Sequence, residues 1–217
     1  MLQDKYLILA DHYKRCLLEQ NDPNLQVDWP NVNDAWIRYR VMLEVLNSNL
    51  PQHGRKIKLL DFGCGLSGLY EYLLKIGRAN EFEYVGLDIV PEFIDKSRAN
   101  FPENEYRVFD IMRNDLDIGE IDFAVLNGIF TQKISMTDDE MYDWMCALIQ
   151  KIFAKVTHGL ALNFMSPFVD YMKEEAFHLQ LDKIGEFVAS SITRRFIIRH
   201  DYLPYEATLY IYPKNKK

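Results

Sequence analysis

Hydrophobic and polar positions alternate between two periods along most of this chain. After residue 56, short apolar runs typical of buried parallel strands alternate with segments whose apolar positions recur every three or four residues. We interpret residues 57–60, 82–87, 106–109, 121–126, 160–164, 193–200 and 207–212 as strands. The last two flank a polar turn and predict an antiparallel pair. The pattern therefore predicts an α/β fold with a doubly wound, mostly parallel seven-stranded sheet and a terminal antiparallel strand.

Helical spacing is clearest at the N-terminus and after residue 137. Residues 1–20 carry one apolar stripe, and a second runs from Trp36 to Leu50, with Asn33 as a suitable N-cap. Residues 21–33 contain two prolines and predict a loop between these helices. Thr137-Asp-Asp-Glu140 has the form of a capping box and precedes the longest helical stripe in the chain.

A glycine-rich turn follows the first predicted strand, within Asp61-Phe-Gly-Cys-Gly-Leu-Ser-Gly68. Strand, turn and helix in this order bring backbone N–H groups and a helix N-terminus close to a ligand. Ligands of open α/β sheets bind outside the carboxyl ends of the strands, and this chain ends four strands in Asp61, Asp88, Asp110 and Asn127. These polar residues predict a ligand site at one edge of the sheet.

Two classes of nucleotide ligand fit this turn. Its three glycines match the dinucleotide fingerprint G-x-G-x-x-G, with Asp88 about 20 residues further on, as in NAD(P)-linked oxidoreductases. Asp61 opposes that interpretation, because a carboxylate two residues before the first glycine would repel a pyrophosphate. An acid there suits the cationic amino acid end of S-adenosylmethionine (SAM). Asp110 could accept a hydrogen bond from an adenine amino group.

Four ordered motifs resemble those of class I SAM-dependent methyltransferases, namely Asp61-Phe-Gly-Cys-Gly65, Val85-Gly-Leu-Asp88, Phe109-Asp-Ile111 and Phe123–Gly128. The resemblance implies a SAM-binding domain over residues 51–217, an N-terminal helical lid over residues 1–50, and S-adenosylhomocysteine (SAH) as the product. The cofactor-binding residues that it implies are Asp61, Gly63, Cys64 and Gly65 at the methionine part, Asp88 and Ile89 at the ribose and adenine, Asp110 and Ile111 at the adenine edge, and Asn127 and Gly128 beside the sulfonium.

The sequence constrains the methyl acceptor less tightly. A general base would assist O-methylation, and His200 is the candidate because the terminal hairpin should emerge on the ligand side of the sheet. Small methyltransferases of similar build resemble this chain near His200 and from Trp29 to Arg38, which implies acceptor-side roles for Trp29, Arg38 and Tyr202. The alternatives stay open: His200 as a structural hydrogen-bonding residue, and Trp29 as part of the core.

Composition narrows the class of substrate. A net charge of −7, and the absence of a Pro-Pro motif after the fourth strand, argue against nucleic acid. Three widely spaced cysteines predict neither a disulfide framework nor a metal site, and no apolar run is long enough to span a membrane. We predict a cytoplasmic enzyme that methylates oxygen or nitrogen of a small polar molecule, in bacterial secondary or surface-glycan metabolism. A protein methyltransferase and a non-catalytic SAM-fold binding module are the alternatives.

Overall fold

One sheet of seven strands runs through the protein, whose computed structural model describes residues 4–29, 31–48, 50–51 and 54–214. The strands are β1 (Ile57–Phe62), β2 (Phe82–Asp88), β3 (Glu105–Val108), β4 (Ile121–Phe130), β5 (Val156–Met165), β6 (Phe196–Arg199) and β7 (Glu206–Ile211). Their order in the sheet is β3-β2-β1-β4-β5-β7-β6. The pairs from β3 to β5 are parallel, whereas β7 is antiparallel to both β5 and β6. This confirms the predicted sheet.

Helices cover both faces of the sheet. They are α1 (Leu7–Glu19), α2 (Pro23–Gln26), α3 (Val32–Leu43), α4 (Gly68–Lys75), α5 (Pro91–Asn100), α6 (Asp138–Phe153) and α7 (Leu181–Ser191), with short 3-10 helices at Glu44–Ser48 and Ala79–Glu81. Successive side chains of a strand point to opposite faces. Along β4, Ala124 and Leu126 therefore pack in the core with α6 and α7, while Phe123 and Val125 pack with α3 and α4. The fold therefore has three layers. None of the helices in the described part of the chain is long and apolar enough to cross a membrane.

The N-terminal region differs in detail from its prediction. The segment predicted as a loop contains α2, which begins where the Asp22 side chain accepts a hydrogen bond from the Asn24 backbone. The N-cap of α3 is Asn31 rather than Asn33, because the Asn31 side chain accepts from the backbone N–H groups that follow it. The helix then tightens into the 3-10 segment Glu44–Ser48.

Two strands continue past the polar residues that were expected to end them. β1 includes Asp61 and ends at Phe62, and β4 includes both Asn127 and Gly128. The register of β4 with β5 shifts after Leu126, and Gly128 has φ +85°, in the left-handed region that favours glycine. Asn127 and Gly128 therefore lie at an irregularity inside the strand, where the regular alternation of side chains is broken.

The N-terminal helices pack on opposite faces of the sheet. Tyr6 and Leu9 of the first segment are buried in the core that contains α6, whereas Val41 and Met42 of α3 are buried in the core on the other face. The connection between these helices crosses the carboxyl ends of the central strands, and Val27 lies within 3.3 Å of a Cβ built on Gly65. Residues 23–29 and 31–39 therefore lie above the predicted ligand site.

Candidate active site

A cavity of about 410 Å³ opens at the carboxyl ends of β1, β2 and β4. The ten residues predicted to bind the cofactor all line it: Asp61, Gly63, Cys64, Gly65, Asp88, Ile89, Asp110, Ile111, Asn127 and Gly128. Six of them come from the first strand and its turn or from the irregular end of the fourth strand, and the other four lie at the end of β2 or follow β2 and β3. The parallel topology brings these separate motifs together because parallel strands end at the same edge of the sheet.

The glycine turn is tied to β2 by backbone and side-chain hydrogen bonds. The N–H groups of Gly63 and Cys64 both donate to the Leu87 carbonyl, at 2.7 and 3.0 Å. The carboxylate of Asp88 accepts from the N–H of Gly65 and from that of Val90, each at 2.9 Å. Asp88 thus holds the turn in place, and since a carboxylate offers about four acceptor positions, it retains capacity for ligand hydroxyl groups.

Asp61 and Asp88 are buried carboxylates on neighbouring strands. Burial raises the pKa of Asp61 to about 7, against a lowering by the hydroxyl of Tyr84, which donates to Asp61 at 2.6 Å, and with a further rise from the charge of Asp88. Burial likewise raises the pKa of Asp88 to about 6, while its backbone hydrogen bonds act in the opposite direction. None of the described residues that line the cavity is Lys, Arg or His, so a cationic ligand would find these acids without competition.

Asp110 contacts the N-terminal segment directly. Its carboxylate accepts a hydrogen bond from the Tyr6 hydroxyl at 2.7 Å and another from the Met112 N–H at 2.9 Å. The ring of Tyr6 lies parallel to that of Trp144, with centroids 6.0 Å apart, and both residues line the cavity. The N-terminal segment therefore completes the wall of the cavity at the third strand.

Asn127 presents an unpaired amide at the cavity. Both polar atoms of its side chain are buried, and neither has a hydrogen-bond partner among the described residues. An unpaired buried amide is costly, so its position in a ligand cavity indicates that a bound molecule or water completes its hydrogen bonds. The neighbouring Gly128 is held on both sides: its N–H donates to Asn163 at 2.7 Å, and its carbonyl accepts from Thr131 at 2.8 Å.

The residues predicted for the acceptor side are not all brought together. Trp29 lines the cavity, whereas Arg38, Tyr202 and His200 are not among the residues that line it. The guanidinium of Arg38 is bonded to Glu206, and the Tyr202 hydroxyl accepts from Thr208 at 2.8 Å.

His200 follows β6 at the same edge of the sheet, and its Nε2 lies 2.9 Å from the hydroxyl oxygen of the buried Ser166. The aromatic ring of Phe168 packs edge-on against the imidazole. This histidine therefore has local partners of its own, and its role as a base stays a prediction.

Several aromatic residues of the cavity wall were not predicted as site residues, among them Tyr6, Tyr39 and Trp144. Each stands in an apolar helical stripe, where sequence pattern indicates only burial against a core. The hydroxyl groups of the two tyrosines are the available signal, because a buried tyrosine usually needs a partner at its polar end.

Residues 60–138 match the family model of a methyltransferase domain. The match spans β1 to the start of α6 and therefore includes the glycine turn and all four polar strand ends. A search of curated proteins finds no match for the chain.

Solved methyltransferases have similar folds. Magnesium protoporphyrin IX methyltransferase from Synechocystis PCC 6803 with bound SAM aligns at 16% identity and a TM-score of 0.62, over 97% of this chain and 98% of that one. The plantazolicin methyltransferase BpumL, in complex with a monoazolic desmethylPZN analog and SAH, aligns at 11% identity and a TM-score of 0.65, over 98% and 96%. A TehB-like SAM-dependent methyltransferase from Corynebacterium glutamicum aligns at 15% identity and 0.54, over 96% and 98%. At these identities the likeness establishes the fold.

The order of the seven strands and the helices on both faces of the sheet give this chain a Rossmann-like fold that it shares with these solved structures. Residues 60–138 thus match a methyltransferase domain within a chain that has the fold of solved SAM-dependent methyltransferases.

Replacing Asp61 by Asn should change how the stability of the ligand-free protein depends on pH. The folded protein keeps a proton on Asp61 up to about pH 7, whereas the unfolded chain releases it near 3.8. The wild type should therefore lose stability as pH rises through this window, by an amount of the order of 4 kcal/mol from this group. Asp61→Asn should lack that loss, since an amide oxygen can still accept from Tyr84.

Urea unfolding at pH 5 and pH 8 measures the part of this loss that falls above pH 5, about 2.5 kcal/mol. Asp95→Asn is the control, because the Asp95 side chain is 75% exposed. Parallel pH profiles for wild type and Asp61→Asn would contradict the prediction.

Proposed function

We propose that this enzyme transfers the methyl group of SAM to an oxygen or nitrogen atom of a small polar molecule. The observation that carries the proposal is that one cavity of about 410 Å³ is lined by all ten predicted cofactor residues and is covered by residues from 23–29 and 31–39. A covered cavity of this size favours a small acceptor over a folded protein or a nucleic acid.

The chemistry of the cavity matches SAM from one end to the other. Asp61 would face the ammonium group of the methionine part, where burial leaves the carboxylate in need of a cation. Asp88 would accept the ribose hydroxyls while it keeps its hydrogen bonds to the turn. Asp110 and Ile111 would hold the adenine, and Asn127 and Gly128 would lie beside the sulfonium. The bound cofactor supplies the electrophilic methyl group, so the protein need only orient the acceptor and remove a proton where required.

The remaining wall of the cavity indicates the charge of the acceptor. Residues 23–39 contribute mainly apolar and aromatic side chains, namely Pro23, Asn24, Val27, Trp29, Val32, Ala35, Trp36 and Tyr39. A phosphate or carboxylate close to the reacting atom would need a cationic partner, and the described lining residues provide none. We therefore infer that the acceptor is neutral or cationic where it enters this wall. Relatives in fold named for a porphyrin and for a natural-product analog support a small-molecule acceptor.

Calorimetric titration with SAH, with NADH as the parallel control, is the first test of this function. We expect micromolar binding of SAH and none of NADH, because Asp61 should repel a pyrophosphate. SAH formation from SAM should then be screened with hydroxyl, amine and carboxylate compounds. Turnover confined to carboxylates would contradict the inferred charge, turnover with proteins alone would indicate a protein methyltransferase, and SAH binding without any turnover would indicate a binding module.

Asp88→Ala should weaken SAH binding by about 1.5–3 kcal/mol through loss of charge-assisted hydrogen bonds to the ribose. Calorimetry gives the affinity, and thermal unfolding shows how much stability is lost with the bonds to Gly65 and Val90. Asp95→Ala is the matched control, since it removes the same charge from an exposed position. An unchanged affinity for SAH would remove Asp88 from the cofactor site.

If His200 is the general base, His200→Ala should reduce turnover of a hydroxyl acceptor by about 10²–10⁴-fold while SAH affinity stays the same. His158→Ala is the control, because His158 lies near the amino end of β5, away from the cavity, and packs on Phe123. Steady-state kinetics across pH would test the assignment, and equal turnover in the wild type and His200→Ala would exclude it.

A further inference from the structure

A closed ring of contacts joins the N-terminal segment (residues 4–29) to Gly128 in the floor of the cavity. The N–H of Gly128 donates to Asn163 at 2.7 Å, and the Asn163 amide donates to Glu206 at 3.1 Å. Nε of Arg38 donates to both carboxylate oxygens of Glu206, at 2.7 and 2.9 Å. The guanidinium carbon lies 4.9 Å from the centre of the Trp29 ring. The indole of Trp29 packs against the backbone of Gly128 and closes the ring: a Cβ built on Gly128 would lie 2.6 Å from it.

The ring is held together by a buried charge. Asn163 is fully buried and Glu206 is only 3% exposed, so the carboxylate is stable there only while Arg38 and Asn163 bind it. Glu206 therefore fixes two side chains at once: the amide that holds the backbone of Gly128, and the guanidinium that lies on Trp29. Trp29 and Gly128 line the cavity, whereas Arg38, Glu206 and Asn163 lie outside it and act on these two residues from behind the wall.

Trp29 is also held from its own side of the chain. Its backbone N–H donates to the Asn24 carbonyl at 2.8 Å, which ties it to α2. Asp28, directly before it, has φ +57°, a left-handed conformation that is rare for residues other than glycine. Trp29 therefore has contacts from two directions, and Arg38 supplies the one that links the indole to Glu206 at the start of β7.

We propose that Arg38, Glu206 and Asn163 are positioning residues that hold Trp29 against Gly128 and so keep the N-terminal segment closed over the cavity. The inference rests on the proposed function for the position of the methyl group beside Gly128. The ring contacts themselves are independent of the acceptor. Closure of this kind excludes water and limits the escape of the bound cofactor. In this assignment Arg38 acts through Trp29 and does not touch the acceptor.

The test uses the double variant Arg38→Gln/Glu206→Gln, which removes both charges together. A single change at Arg38 would leave a buried carboxylate unpaired and could prevent folding, whereas neutralising both partners is usually tolerated. The reporter is Trp29 fluorescence in a Trp36→Phe/Trp144→Phe background, where it is the only one of the three tryptophans left. We expect acrylamide to quench Trp29 several-fold more strongly in the double variant, and SAH to dissociate about ten times faster.

A second buried ion pair, between Arg55 and Asp122 of β4, provides a matched control. Arg55 donates to both carboxylate oxygens of the buried Asp122, at 2.6 and 2.7 Å, near the opposite end of the strand. Arg55→Gln/Asp122→Asn should lower the melting temperature without changing the quenching of Trp29 or the release of SAH. A purely structural role for Arg38 and Glu206 would make the two double variants alike.

The inference would be overturned if acrylamide quenched Trp29 equally in the Trp36→Phe/Trp144→Phe protein with and without the Arg38→Gln/Glu206→Gln substitutions. Equal rates of SAH release from these two proteins, both folded, would also overturn it. Quenching is measured without cofactor, so it tests the ring even if no acceptor is found. Failure of the unmodified protein to bind SAH would instead count against the proposed cofactor site.

Discussion

The hydrogen bonds of one carboxylate shape the site. Asp88 ends β2 and accepts from the N–H groups of both Gly65 and Val90, so it fixes the glycine turn after β1 and the entry into α5 together. The wall of the cavity follows from this, because the turn carries the backbone that the cofactor approaches. Burial makes this arrangement costly in the free protein, since Asp61 lies beside it and both acids have raised pKa values. A cationic ligand would relieve that cost, which links the local instability of the site to its binding energy.

The sheet and the predicted ligand site follow from local sequence pattern, because each of their determinants lies within a short stretch of sequence. Each strand shows its own apolar run, and each acid or amide comes at the end of such a run, so the parallel topology alone brings Asp61, Asp88 and Asn127 to one edge. The capping box at Thr137 is equally local, and both of its hydrogen bonds are present at the start of α6. Irregularities in the strands could not be predicted in this way. Nothing in the sequence pattern indicates that β4 continues past Gly128 with a shifted register.

The acceptor side depends on contacts between residues that are distant in sequence. Arg38 and Glu206 are 168 residues apart, and the hydroxyl of Tyr6 is 104 residues from Asp110. A sequence pattern places Arg38 on a helix and Glu206 in the turn directly before the last strand, but it does not pair them. The sequence therefore predicted that Arg38 and other charged or aromatic residues in these segments contact the acceptor. In the structure, Arg38 forms an ion pair with Glu206. Periodicity gives the face of an element, whereas the partner across that face is set by the tertiary fold.

The terminal antiparallel strand acquires a specific role from this geometry. β7 inserts between β5 and β6, and its register sets Met165 opposite Glu206 and Asn163 opposite Thr208. That register brings the first residue of β7 beside the amide that holds Gly128, while α3 brings Arg38 to the same carboxylate from above the sheet. A parallel strand in this place would begin at the opposite edge of the sheet and could not offer its first residue to the cavity floor. The direction of one strand thus makes closure of the N-terminal segment and the position of the floor depend on the same buried charge.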